Sequence, residues 1–208
     1  MKRISKAFSV QSVSYLDKDF TGEEIRRSIF GMGHLKASGK DGFLAVFYQK
    51  FWDSVGMEVT KYCLEVLNKS KSLEDINETV IILIPKIQKP TNMGDYRPIS
   101  LCNVLYKIII KAMTNRLRCV LGEVISETQC AFIPGRMISD NTIVGYECVN
   151  MLKRRKRKIG YMALKLDMSK AYDRVEWGFI EKMIFKLGFP EKWRNLIMNC
   201  ISTVSYFL

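Results

Sequence analysis

The sequence predicts an α/β fold of the α+β kind, in which helices occupy most of the chain. Several long stretches place apolar residues at helical spacing. In contrast, the β-branched run at 79–86 and the alternating stretch at 162–168 have the pattern of strands. The 208 residues, 48% of them hydrophobic, suffice to bury a sizeable core in one or two domains.

The first predicted helix starts after Thr21, which forms a capping box with Glu24, and it stops at the glycines 31 and 33. The turn SGKDG follows. Apolar residues then recur at helical spacing over 46–67, which predicts a long helix with Gly56 as a candidate break.

The middle of the chain begins with TVIILIPK at 79–86, which predicts a buried strand ending at Pro85 and leading into a polar loop. A second long helix is predicted over 104–121, and the loop TQCAFIPGR ends it. A third helix starts near Asp140 and runs into KRRKRK.

The net charge is +12, from 33 Lys and Arg against 21 Asp and Glu, which predicts a polyanionic partner. Nucleic acid is favoured over an anionic membrane surface. The six-residue basic run has two interpretations: a solvated turn, or a site for phosphate contact or nuclear localisation. Its members are Lys153, Arg154, Arg155, Lys156, Arg157 and Lys158.

No apolar run approaches the roughly 18 residues of a spanning helix, and the N-terminus lacks an apolar signal core. We therefore expect no membrane partner and an intracellular location, nuclear or cytoplasmic. The six cysteines form no CxxC pair, which makes a structural zinc site improbable. Most of them lie among apolar residues and are expected to be reduced core side chains, and His34 is predicted to be a loop residue and not a ligand.

Two aspartates stand in LKLDMSKAYDRVEW, residues 164–177. Residues 162–168 alternate, so a strand would place Asp167 on the face opposite the apolar set, towards a cleft or a partner. A surface aspartate is the plainer interpretation. Asp173 precedes a predicted helix, and Glu176 completes D-x-x-E, so Asp173 is predicted to be a structural N-cap.

The order of three segments is more specific than either aspartate. IPKIQKPTNMGDYRPISLCNVLYKIIIKAMTNRL, QCAFIPGRMISDNTI and LKLDMSKAYDRVEW together resemble the reverse transcriptase of LINE-type (non-LTR) retrotransposons, particularly plant elements. KASGKDGFLAVFYQKFW upstream and WRNLIMNCISTVSYFL downstream resemble the same family, so the likeness covers about residues 20–208.

The resemblance implies a role for several residues. Asp167 matches the catalytic aspartate that holds two divalent ions, Mg2+ or Mn2+, and the backbone carbonyl of Met168 would reach a metal. Tyr172 matches the steric gate that favours deoxynucleotides. Arg97 matches the arginine that grips the incoming triphosphate, and Lys86 is a second candidate cation.

The same resemblance places Gly135 and Arg136 near the template, gives Asp173 a structural role, and implies three partners: an RNA template, a DNA primer and deoxynucleoside triphosphates. It divides the chain into an N-terminal helical extension (1–75), the fingers (76–160) and the first part of an antiparallel palm (161–208) of the right-hand polymerase fold. The oligomeric state is left open.

The sequence also departs from the family. A palm needs a second acidic motif, usually two adjacent aspartates, and no aspartate follows Asp173. Nothing resembling a thumb or an endonuclease is recognisable. We therefore expect a fragment or a decayed copy of an RNA-directed DNA polymerase that is inactive alone. The alternative is a remnant that performs no chemistry and binds nucleic acid through its basic surface.

Overall fold

A computed structural model describes residues 7–154, 162–168 and 171–207, except for the side chains of Tyr172 and Asp173. The helices are α1 (Val10–Asp17), α2 (Gly22–Phe30), α3 (Ala45–Lys50), α4 (Trp52–Lys69), α5 (Val104–Arg118), α6 (Ile138–Arg154), α7 (Ala171–Arg174), α8 (Trp177–Lys186) and α9 (Glu191–Ser202). The strands are β1 (Glu78–Pro85), β2 (Tyr96–Cys102) and β3 (Ser205–Phe207). The mixed helical and strand content confirms the predicted fold class.

The core lies among α2, α4 and α5. Ile25 of α2, Cys63 of α4 and Ile108 of α5 are all fully buried. Each helix contributes one apolar face at the spacing seen in the sequence, so burial of these faces is the main force that holds the helices together.

Helix α2 forms as its capping box predicts. The Thr21 hydroxyl accepts from the Glu24 backbone N–H at 3.4 Å, and the Glu24 carboxylate accepts from the Thr21 N–H at 2.9 Å. These bonds satisfy two backbone donors that a helix start otherwise leaves free. The helix ends at Phe30, before Gly31, as expected.

The long helix predicted over 46–67 is divided at Phe51, between α3 and α4, and the predicted break at Gly56 is wrong. Gly56 lies buried inside α4, where the indole ring of Trp52 covers it. A Cβ at Gly56 would stand 2.6 Å from that ring. The glycine therefore makes room for Trp52, and the helix continues through it.

The sheet has the order β2, β1, β3 in the described part of the chain. Strands β1 and β2 are antiparallel, with Ile82 opposite Ile99, whereas β3 runs parallel to the start of β1. The prediction of a wholly buried strand at 79–86 was wrong in its outer half. Thr79 is buried, but residues 82–85 are exposed because the β1–β2 hairpin extends beyond the helices.

The start of the described chain packs against its end. Trp193 of α9 is fully buried, and its indole N–H donates to the Leu16 carbonyl at 2.6 Å. The Phe8 and Phe189 rings meet edge to face at 4.8 Å, and the Phe8 N–H donates to the Leu187 carbonyl. Residues 7–20 thus share a core with α8 and α9.

The cysteines are free thiols. Cys63, Cys130 and Cys200 are buried, as expected of core side chains, whereas Cys119 and Cys148 are exposed. Burial raises the pKa of the Cys63 thiol to about 12, which keeps it protonated and unreactive. His34 lies in the loop between α2 and α3, as predicted. None of the helices described combines the length and the apolar character required to cross a membrane.

Candidate nucleotide and nucleic-acid site

The outer end of the β1–β2 hairpin carries the two predicted triphosphate-binding cations. Arg97 is the second residue of β2 and lies opposite Ile84, where its side chain is exposed. Lys86 directly follows β1, and its backbone N–H donates to the Asp95 carbonyl at 2.7 Å. The fold thus brings Lys86 and Arg97 to the same end of one hairpin.

These two cations differ in how they are engaged. The Lys86 ammonium donates to the Gly94 carbonyl at 2.7 Å, so a bound anion would have to share it with that carbonyl. Arg97 forms no salt bridge with any carboxylate in the described residues. Its guanidinium is therefore the more available group for a phosphate, which it can bind in bidentate geometry.

Asp95 fixes the loop between the two strands. Its carboxylate accepts backbone N–H groups of Thr91 and Asn92, both at 2.9 Å. These two hydrogen bonds lower the pKa of the Asp95 carboxyl below its usual value. Sequence analysis did not single out Asp95, although its place in the polar loop before β2 was the available signal. Because the loop is tied to one carboxylate, the ends of β1 and β2 keep a defined geometry.

Asp167 and Met168 lie in an exposed segment without regular secondary structure, and the strand predicted at 162–168 was wrong. The alternation is real, but Met162, Leu164 and Leu166 are 87%, 72% and 83% exposed. A strand requires a hydrogen-bonded neighbour, and none of the described strands pairs with this segment. The predicted start of an antiparallel palm sheet is therefore wrong for the described residues.

The residues present do not make a two-ion metal site. Asp167 offers the hard oxygen that Mg2+ prefers, yet a bound ion in a protein usually draws on several such ligands. Within the described residues, no three His, Cys, Asp or Glu side chains cluster where they could hold a metal ion. One exposed carboxylate and a backbone carbonyl do not fit two divalent ions.

Tyr172 and Asp173 lie in the short helix α7, and the positions of their side chains fall outside the described structure. The N-cap of α8 is Glu176, with extended backbone, so the predicted N-cap role of Asp173 was wrong. The D-x-x-E pattern failed because the helix starts three residues later than the pattern places it. A structural role for Asp173 of another kind stays a prediction.

Gly135 and Arg136 form part of a compact loop before α6. Gly135 has φ of +77°, a conformation that glycine adopts without strain. The Arg136 guanidinium donates to the Gln129 carbonyl at 2.7 Å and to the carbonyls of Ser126 and Ile125. Arg136 therefore ties the loop together, and its predicted contact with a template would be an additional role.

Only the first two residues of the basic run lie in the described part of the chain. Lys153 and Arg154 are the exposed last residues of α6, whereas Arg155, Lys156, Arg157 and Lys158 lie outside the described residues. No residue of α6 is buried. Cations at the C-terminal end of a helix also interact favourably with its dipole.

Three further lysines surround a cavity of about 240 Å³ beside α5, and sequence analysis missed them. Lys107 and Lys111 are one helical turn apart on α5, and Lys36 comes from the loop after α2. The spacing of the two α5 lysines was the only signal in the sequence, and it gave no reason to add Lys36.

Comparison with known proteins gives two kinds of match. The family model described as "Reverse transcriptase (RNA-dependent DNA polymerase)" matches residues 84–207, which is more than half of the chain. The chain is 32% identical over 165 residues to the "Transposon TX1 uncharacterized 149 kDa protein" of Xenopus laevis. It is 26% identical over 120 residues to the "Retrovirus-related Pol polyprotein from type-1 retrotransposable element R2" of Popillia japonica.

The alignments cover much of this chain but little of either relative. They include 79% and 58% of the chain, against 12% of the TX1 protein and 16% of the R2 polyprotein. The matched stretch 84–207 contains the positions of Lys86, Arg97, Asp167 and Tyr172.

Proposed function

Because this chain belongs to the reverse transcriptase (RNA-dependent DNA polymerase) family of non-LTR retrotransposons, we propose that it supplies the fingers and the first part of the palm of an RNA-directed DNA polymerase. The observation that carries the proposal is the family match over residues 84–207, which contains the hairpin cations, Asp167 and Tyr172. The whole protein would extend a DNA primer along an RNA template with deoxynucleoside triphosphates.

In this proposal the hairpin end holds the incoming triphosphate. Arg97 is exposed and without a carboxylate partner among the residues described, so its guanidinium is available to bind a phosphate by two parallel hydrogen bonds. Lys86 adds a second positive charge at the same end of the hairpin. Tyr172 would act as the gate that excludes a 2′-hydroxyl.

Asp167 and the Met168 carbonyl are proposed as this chain's contribution to the divalent-metal site of the whole enzyme, which would use Mg2+ or Mn2+. Reverse transcriptases generally depend on such ions. Gly135, Arg136 and the basic run Lys153 to Lys158 are proposed to contact nucleic acid. We also propose that the protein is intracellular, either nuclear or cytoplasmic. The element it belongs to is proposed to be most like those of plants.

The test uses a chimera in which the remaining polymerase segments of a related element follow residue 208. Arg97→Ala should raise the KM for deoxynucleotides about tenfold or more, because a charge-assisted bidentate contact contributes roughly 1.5–3 kcal/mol. Lys89→Ala, in the loop of the same hairpin, is the charge-matched control. Primer extension on an RNA template at varied nucleotide concentration measures both.

Unchanged KM in the Arg97 variant would remove Arg97 from the nucleotide site. A chimera that folds and binds template but never extends the primer would favour the second candidate, a nucleic-acid-binding module without chemistry. That candidate is favoured by the net charge of +12 and by the exposed basic end of α6.

A further inference from the structure

The cavity beside α5 combines three cations with apolar and aromatic walls. Lys36, Lys107 and Lys111 surround it, and Tyr106, Ile110 and Met32 contribute ring and aliphatic surface. Thr114 and Cys102 complete the lining. The cavity lies beside α5, whereas the hairpin end with Arg97 is at the far end of β2 from α5.

The fold sets these lysines in place. The Lys107 ammonium donates to the Ala37 carbonyl at 2.6 Å, which ties α5 to the loop that carries Lys36. The Lys111 stem passes close to Gly31, where a Cβ would stand 4.0 Å from its Cε. The Tyr106 hydroxyl donates to the Cys200 carbonyl at 3.0 Å, so the ring at the cavity wall is held in position.

The three lysines give the cavity an excess of positive charge. None of the three lysines forms a salt bridge to a carboxylate within the part of the chain that the structure describes. Burial lowers the pKa of the Lys107 ammonium. Cys102 and the Asp41 carboxylate act in the opposite direction, and the charge of Lys36 adds to the lowering. Three ammonium groups held close together repel one another, and the single Asp41 carboxylate near Lys107 offsets only part of this repulsion, so a bound anion would lower the free energy further.

From this geometry we propose that the cavity beside α5 binds the phosphodiester backbone of a single-stranded nucleic acid through Lys36, Lys107 and Lys111. Single-strand sites combine a positively charged groove with aromatic surface on which bases rest, and Tyr106 supplies that surface here. This inference rests on the proposed function and adds to it a second site of contact with the RNA template strand.

The test compares two double variants of the 208-residue chain. Lys36→Gln with Lys111→Gln removes two charges at the cavity and leaves Lys107, which also bonds Ala37, in place. Lys61→Gln with Lys69→Gln removes two charges from α4, away from this cavity. Fluorescence anisotropy with a single-stranded RNA oligonucleotide gives the dissociation constant Kd at several salt concentrations.

The cavity variant should reduce the slope of log Kd against log salt by about 1.4, because each phosphate contact on a single strand contributes about 0.7. The α4 variant should keep the parent slope. Equal slopes for the parent and the cavity variant would overturn the proposal, whatever the chimera does in primer extension. Failure of primer extension alone would count against the proposed function and not against this site.

Cys102 provides a second readout in the parent chain. It lines the cavity, whereas Cys119 is exposed and not part of the lining. Bound RNA should slow alkylation of Cys102 by iodoacetamide and leave Cys119 unchanged, as measured for each peptide by mass spectrometry. Slowing by inorganic tripolyphosphate but not by RNA would mean a site for free anions and would overturn the proposal of a strand.

Discussion

Arg116 and Glu24 form the most buried ion pair among the described residues. The guanidinium is 4% exposed, lies 2.7 Å from the Glu24 carboxylate, and stacks 3.7 Å over the Phe20 ring. It also donates to the carbonyls of Asp19 and Lys18. Buried charge is tolerated only when such bonds replace water, so Arg116 joins α5 to the segment before α2.

The pair makes stability depend on pH. Burial on its own would raise the pKa of the Glu24 carboxyl, but hydrogen bonds from Arg116 and Thr21 outweigh it and lower the pKa below the usual 4.5. A depressed folded-state pKa gives stability that is present above the unfolded value and lost as the pH falls through the folded value.

We therefore predict that the free energy of unfolding falls as the pH is lowered below 4.5. Glu24→Gln should be less stable at neutral pH and should lose part of this pH dependence. The remainder comes from Asp19, Glu65, Asp95 and Glu123, whose carboxyl pKa values are also lowered. Denaturant unfolding of the parent and the variant at a series of pH values measures this pH dependence. The same dependence of the free energy of unfolding on pH in both proteins would contradict the account.

At the scale of elements, replacing two helical glycines by alanine should change the free energy of unfolding in opposite directions. Gly56→Ala places a Cβ 2.6 Å from the Trp52 ring, and that ring also packs against Phe30. Overpacking of this kind costs roughly 1–3 kcal/mol. Gly145 in α6 has no atom within 4 Å of an added Cβ, so Gly145→Ala should stabilise α6 by about 0.5–1 kcal/mol.

Thermal and denaturant unfolding of both glycine variants provides the measurement. If Gly56→Ala were as stable as Gly145→Ala, the close approach of Trp52 would not be what requires the glycine at position 56. A loss of stability in both would instead indicate that α6 is held by contacts that its exposure does not reveal.

Several helices could be predicted from the sequence because capping and apolar periodicity are local, whereas α1 and α9 were not predicted. Thr21 with Glu24 gave the start of α2, and the spacing at 104–121 gave α5. Strand β2 was missed because YRPISLC contains a proline and has no strict alternation, and it forms through pairing with β1. The strand predicted at 162–168 failed for the same reason, since alternation does not supply a neighbour.

The site could be predicted only as a set of residues. The motif order identified Arg97, Asp167 and Tyr172, but their spatial relation depends on pairing and packing between distant segments. The α5 cavity was missed because Lys36 and Lys107 are far apart in sequence, and it is the folded chain that brings them together, through bonds such as that of Lys107 to the Ala37 carbonyl. The N-cap role predicted for Asp173 was wrong because α8 starts after Glu176, three residues beyond the position that the D-x-x-E pattern indicated.

On the scale of the whole molecule, the contact between residues 7–20 and α9 holds the start of the described chain against its end, and Trp193 lies at the centre of this contact. Trp193→Ala should lower the free energy of unfolding by roughly 3–5 kcal/mol, because the indole is fully buried and bonded to Leu16. Trp177→Ala, where the ring is 49% exposed, should cost about 1 kcal/mol or less. Denaturant unfolding measures both variants. A similar loss in free energy of unfolding from both substitutions would show that the packing of residues 7–20 against α9 does not depend on Trp193.

The central claim is that the chain carries the first catalytic motif of a reverse transcriptase, with Asp167 as its essential carboxylate. Primer extension on an RNA template by the chimera, with Asp167→Asn and Asp173→Asn compared, tests it most directly. Asp167→Asn should reduce turnover by several orders of magnitude without loss of folding, since the side chain is exposed. Asp173→Asn should keep most activity. Full turnover in the Asp167 variant would contradict the account, and equal inactivity of two folded variants would make both aspartates catalytic.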